Sequence, residues 1–169
     1  MTKSSEIKIR EKITVAAPAA AVWNLICDPY AVANCLAGAA IDGQREDGSY
    51  DASMVLHFGP LKVSFRAHVI LAIDADAMTG TILTRGKDAH GGVRVTATTR
   101  FGVFANENAA DILIDADVEL GGKLASVIGA GASIVAKKLS AVFTEKLALA
   151  FAQSLDSNHV ALVEGCTAQ

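Results

Sequence analysis

Residues 121–155 read GGKLASVIGAGASIVAKKLSAVFTEKLALAFAQSL. No proline interrupts the run from 122 to 155. Apolar or small residues recur at Leu124, Ile128, Gly131, Val135, Leu139, Val142 and Leu149, with Lys146 alone breaking the stripe. This spacing predicts one helix with a continuous apolar face. About 30 residues at 1.5 Å each make a rod of roughly 45 Å, enough to cross a whole sheet. Residues 157–169 mix polar and apolar character and are expected as a frayed tail, which leaves 1–156 as a single domain. Gly129 and Gly131 lie inside the helix, where each costs about 1 kcal/mol relative to alanine. Tight packing on a sheet or close approach of a ligand would each compensate. The GxG they form lacks a preceding strand and tight turn, so it is not a dinucleotide fingerprint.

The chain before the helix has a period of two. Tyr50, Ala52, Met54, Leu56 and Phe58 share one parity, as do Val63, Phe65, Ala67, Val69 and Leu71. Val93, Val95, Ala97, Phe101 and Val103 repeat the pattern, and so do Ile112, Ile114, Ala116 and Val118. Segments 39–45, 50–58, 61–73, 79–85, 93–104 and 111–120, separated by turn residues, predict a six-strand antiparallel meander with one buried face and one wet face. Nearer the N-terminus Ile7, Ile9, Glu11, Ile13 and Val15 alternate with Lys8, Arg10, Lys12 and Thr14, which adds another strand. Pro18 stands where a first-turn proline belongs, and Asp28-Pro29 separates two short helices. The order β-α-α-β6-α defines an α+β fold.

The chain has 169 residues, of which 51% are hydrophobic and 20% charged, so it is an ordered globular chain long enough to build a core without disulfides or metal. Aromatics are only 5%, and a core of small aliphatic side chains is compatible with an internal void. A net charge of −3 lacks the basic excess of a phosphate-backbone binder, so no nucleic acid partner is expected. Cys27, Cys35 and Cys166 show no metal spacing and suit free thiols in a reducing compartment. The N-terminal MTKSSEIKIREKI carries charges where an export signal needs an apolar stretch. A cytoplasmic protein without a membrane span is therefore expected.

Three stretches, VAAPAAAVWNLICDPYAVANCLAGA at 15–39, HFGPLKVSFRAHV at 57–69 and VELGGKLASVIGAGASIVAKKLSAVFTEKLA at 118–148, carry a family likeness. In order and spacing the chain resembles CoxG, the small accessory component of carbon monoxide dehydrogenase, and its relatives, within the START-like (SRPBCC) helix-grip superfamily. GPLK and GGKLASVIG are the most specific parts. The family commonly has proline where Ala37 precedes Gly38 here. The resemblance implies a curved seven-stranded antiparallel sheet wrapped around a long C-terminal helix, with an apolar ligand held between them. It also implies a molybdenum hydroxylase complex as partner and an isoprenoid quinone or lipid as the hydrophobic small molecule. Some relatives carry an apolar C-terminal anchor that is not read in this chain, so transient, peripheral contact at the inner membrane face is expected.

Strand parity and the helix stripe nominate Met54, Leu56, Phe58, Phe65, Ala67, Val69, Val95, Phe101, Leu124, Ile128, Gly131 and Val135 as ligand-binding, around a void of roughly 300 Å³ or more. One end of the sheet gathers Leu36, Gly38, Gly59, Pro60, Leu61, Lys62, Gly122 and Lys123 as a mouth or docking surface. Lys62 and Lys123 there could meet anionic head groups. No catalytic set assembles: His57 and His68 take the parity opposite to the apolar one, and His90 lies in the glycine-rich turn GKDAHGG. No metal site and no covalent cofactor are expected. Two other readings stand beside the carrier. One is a docking or maturation factor that recruits the hydroxylase without a ligand. The other is a polyketide cyclase-like enzyme using Tyr50, Thr84, Thr99 or Arg85.

Overall fold

The computed structural model describes residues 5–167, with side chains described through residue 152. Its first strand, β1 (Ser5–Val15), buries Ile13 and Val15 and exposes Lys8, Arg10 and Lys12, as the alternation requires. Helix α1 (Ala19–Ile26) follows Pro18 and buries Val22 and Trp23. At the start of α2 (Pro29–Cys35) the Asp28 carboxylate accepts a hydrogen bond from the Tyr30 amide at 3.0 Å, and Pro29 needs no donor partner in the first turn. The meander comprises β2 (Ala39–Gln44), β3 (Tyr50–Phe58), β4 (Leu61–Asp74), β5 (Thr79–Asp88), β6 (Arg94–Asn106) and β7 (Ala109–Gly121). The sheet order is β1-β7-β6-β5-β4-β3-β2, antiparallel throughout, so β1 returns to lie beside the last meander strand. This is the α+β architecture expected from the sequence.

β3 keeps its predicted bounds and β2 stops one residue short, at Gln44, while β4 to β7 run past their predicted C-terminal ends. β5 continues past Arg85 to Asp88, whose buried carboxylate accepts from the Val93 amide at 3.0 Å while its own amide donates to the Val93 carbonyl. That closed turn holds Gly92, whose carbonyl accepts from the Leu124 amide at 3.0 Å and fixes where the final helix begins. Gly122, with φ +106°, lies against the Gly92 carbonyl where any Cβ would collide with it.

Helix α3 (Ala125–Thr167) stays helical in its backbone past the end near 155 read from the sequence. It packs against β1, β3, β7 and α2. Its long uncharged face hid a second property. The segment Ala125–Ala152 is long and apolar enough, by length and composition, to cross a membrane. In this fold its inner side is instead occupied: Ala125, Ile128, Phe143 and Leu147 are buried.

Packing divides into two clusters. One joins Ile13, Val15, Val22, Trp23, Phe101, Val103, Ile112, Phe143 and Leu147 beneath the two short helices. The other joins Val63, Phe65, Val93, Leu120, Ala125 and Ile128 at the start of α3.

Candidate functional site

Between the two clusters, where α3 stands off from β4, β5 and β6, the interior opens into a cavity of about 470 Å³. The sheet contributes Ile9, Ile13, Met54, Phe65, Ala67, Val69, Leu71, Ile82, Ile112, Ile114 and Ala116 to its wall, all of inward parity. Val32, Ala33 and Leu36 reach it from α2 and the loop after it, and Ala136, Leu139, Ser140 and Phe143 from α3. The polar residues in the lining are few: Tyr50, Ser53, Thr84, Thr99, Ser140 and Glu11. Gly80 makes part of this shape, because a Cβ there would overlap the Phe101 ring that lines the wall. Space of this size with apolar walls and a few polar groups is what a small apolar molecule needs.

The residues nominated from the sequence fall into two places. Met54, Phe65, Ala67, Val69 and Phe101 line the cavity. Leu56, Phe58, Val95, Leu124 and Ile128 do not: they pack into the second cluster, which closes the sheet end where α3 starts. Gly131 faces Phe58, 3.5 Å from where a Cβ would stand, and Gly129 faces the Ser5 side chain of β1. Gly129 therefore serves close packing of helix on sheet, whereas Gly131, turned toward Phe58 and not the cavity, has room for a Cβ. Val135 is half-buried and does not line the cavity, and the helix presents Ala136, Leu139, Ser140 and Phe143 to it instead. The stripe and the cavity-facing residues belong to the same broad buried face, so periodicity could not separate them.

The nominated mouth divides in the same way. Leu36 borders the cavity, while Leu61 packs on the second cluster with Leu124. Gly38, Gly59, Pro60, Lys62 and Lys123 are exposed, and Gly122 is half-buried against Gly92. Gly38 has φ +80° and lies over the Val55 carbonyl, a close approach that admits no Cβ.

Outside the cavity, His57 is exposed but His68 is half-buried. His68 Nε2 lies 2.7 Å from Ser49 Oγ, and Ser49 donates both its hydroxyl and its amide to Asp47. These bonds hold the Asp47 carboxyl below its ordinary range, with the Ser49 hydroxyl the largest cause. The serine proton is committed to the carboxylate, so the order of the three groups is not that of an activated nucleophile. Burial pushes the thiols of Cys27 and Cys35 up, away from thiolate chemistry, and Cys166 lies outside the described side chains. On the outer face of the sheet a broad, solvent-open groove of about 880 Å³ is lined by Arg10, Lys12, Arg100, Phe104, Leu113 and Asp115, and Glu11 borders both this groove and the cavity. Arg85, considered from the sequence as an inward group, is exposed, whereas Tyr50, Thr84 and Thr99 do reach the cavity. Glu11 was legible only as a break in the apolar parity of β1.

The sequence profile of the carbon monoxide dehydrogenase CoxG family matches residues 12–151. No curated protein sequence matches the chain significantly. Among solved structures, a conserved protein from Geobacillus kaustophilus superposes with a TM-score of 0.76 at 21% identity, covering 88% of this chain and 97% of that one. A START superfamily protein from Mycobacterium smegmatis gives 0.57 at 15% identity, covering 82% and 95%. The Zhui aromatase/cyclase from Streptomyces sp. R1128 gives 0.57 at 13% identity, covering 83% and 90%. At these identities the likeness is one of fold: a START-like helix grip, in which a curved sheet holds a long C-terminal helix.

Proposed function

Because the chain belongs to the carbon monoxide dehydrogenase CoxG family, we propose that it is a non-enzymatic accessory protein of a molybdenum hydroxylase that holds a hydrophobic molecule, an isoprenoid quinone or a lipid, in its cavity. Family membership and fold support an accessory or ligand-binding role. The observation that carries the finer reading is the cavity itself: about 470 Å³ of space with apolar walls, kept open by the distance between α3 and the middle strands. A head group could lie among Tyr50, Thr84 and Thr99 while a chain runs between the aliphatic wall and α3. Solvent extraction or native mass spectrometry of the purified protein is the test. An apolar molecule bound to the chain is the expected result. Its repeated absence, with no uptake of added quinone or phospholipid, would sink the carrier reading.

One observation favours a docking factor instead. The outward side of α3 exposes Val127, Ile134 and Leu149 at 55%, 62% and 55%, an apolar face that a partner enzyme could cover. The two readings part on ligand dependence. A docking factor captures its hydroxylase equally well when stripped of lipid and when loaded, whereas a carrier's association changes with its load.

A further inference from the structure

Resting on the reading of the cavity as a binding site, we propose that Glu11 selects its occupant: an apolar molecule with a hydrogen-bond-donating head, a hydroxyl, phenol or ammonium, that pairs with the Glu11 carboxylate. Residue 11 takes the same parity on β1 as Ile9 and Ile13, which also line the cavity, while Arg10 and Lys12 are exposed on the other side. Across the sheet Glu11 pairs with Ile114, and Ile114 with Phe101, so the carboxylate stands in an apolar row. Among the described residues it is the only carboxylate lining the cavity, and no lysine or arginine lines it at all. Its side chain makes no ion pair or hydrogen bond among the described residues. From Ile7 to Val15 the other residues of this parity are isoleucine or valine, which is what an inward strand face favours.

A half-buried carboxylate at such a wall keeps part of its hydration, and a head that displaces the water on its cavity side must bring a donor in its place. Ionised, it accepts hydrogen bonds and offers none. A carbonyl or ether head of the same shape would set acceptor against acceptor, so of an isoprenoid quinone it is the reduced quinol form, with its two hydroxyls, that this wall favours. Discrimination therefore falls between heads that carry a donor and matched heads that lack one.

The test uses the full-length, delipidated protein with 4-nonylphenol and 4-nonylanisole, which differ by a methyl cap on one oxygen. The parent should bind the phenol at least about tenfold more tightly, as a hydrogen bond to a charged group implies. Glu11→Leu should keep the affinity for the anisole and lose the preference. Glu11→Gln, which retains an acceptor oxygen, should keep part of it. Circular dichroism melts establish that both variants are folded. Equal affinity of the parent for the two probes, or an undiminished preference in Glu11→Leu, overturns this inference and leaves the carrier reading standing. Failure of the parent to bind either probe overturns this inference too, and the carrier reading falls with it only if added quinone and phospholipid are not taken up either.

Discussion

Gly131 illustrates how one residue's surroundings decide the sign of a substitution. A Cβ at this position would stand 3.5 Å from the Phe58 ring, an ordinary contact. Gly131→Ala should therefore gain helix propensity without collision and stabilise the fold by up to about 1 kcal/mol. Gly131→Leu should overpack Phe58 and cost about 1 to 3 kcal/mol. Thermal melts of the two variants check this, and a stabilised leucine variant would mean that the helix has room there. Acidic residues on the outer face set a second expectation. Asp117 is held below the ordinary carboxylate range by the hydrogen bond from Arg100, Asp51 by that from Arg45, and Asp111 by the Thr14 hydroxyl. A depressed folded pKa contributes stability that is fully present above the unfolded value, about 3.9, and is lost as pH falls through the lower folded values. Asp51 and Asp117 keep about half of their side-chain surface in solvent and Asp111 is more covered, so the contribution is small and weakened by salt. Melting temperature should decline more steeply below about pH 4 in the parent than in an Asp111→Asn, Asp117→Asn double variant.

At the scale of elements, α3 carries two faces of different purpose. Leu147 is fully buried and Phe143 nearly so, whereas Ile134 is 62% exposed. Leu147→Ala should cost about 2 to 5 kcal/mol through lost burial and a residual void. Ile134→Ser should stay within about 0.5 kcal/mol. Chemical denaturation of both variants measures the contrast, and a large loss on changing Ile134 would show that the outer face is covered in the folded protein. The strands were legible because a half-buried sheet imposes a period of two, so Met54, Phe65, Ala67 and Val69 could be assigned inward from the sequence and do line the cavity. The helix register was not. Leu124 and Ile128 lie on the same broad buried face as Leu139 and Phe143, and periodicity reports that a face is covered without reporting by what. What decides between packing and cavity is the distance from α3 to the middle strands, a property of sheet curvature that no local pattern encodes. Glu11 escaped for a related reason: a charge at an inward position acquires meaning only when the space opposite it is known.

The whole molecule behaves as a sheet clamped to a helix at both ends, with the clusters around Leu147 and Ile128 acting as the clamps and the cavity lying between them. Neither cluster depends on the cavity being filled, so the empty protein should remain folded, and a guest should add stability by mass action alone. An apolar molecule present at one hundred times its dissociation constant contributes about 2.7 kcal/mol. For a chain of this size each kcal/mol moves the melting temperature by about 2 to 4 °C, so saturation should raise it by roughly 5 to 11 °C. Ala136 supplies the control, since it lines the cavity from α3 and is half-buried. Ala136→Trp should place its ring in the space the guest uses, with room to spare in about 470 Å³. That variant should melt at or above the temperature of the empty parent and show no further rise on addition of quinone or lipid. An equal ligand-induced rise in both proteins would put the guest elsewhere, on the exposed face of α3 or in the groove of the outer sheet, and would separate the cavity from the function proposed for it.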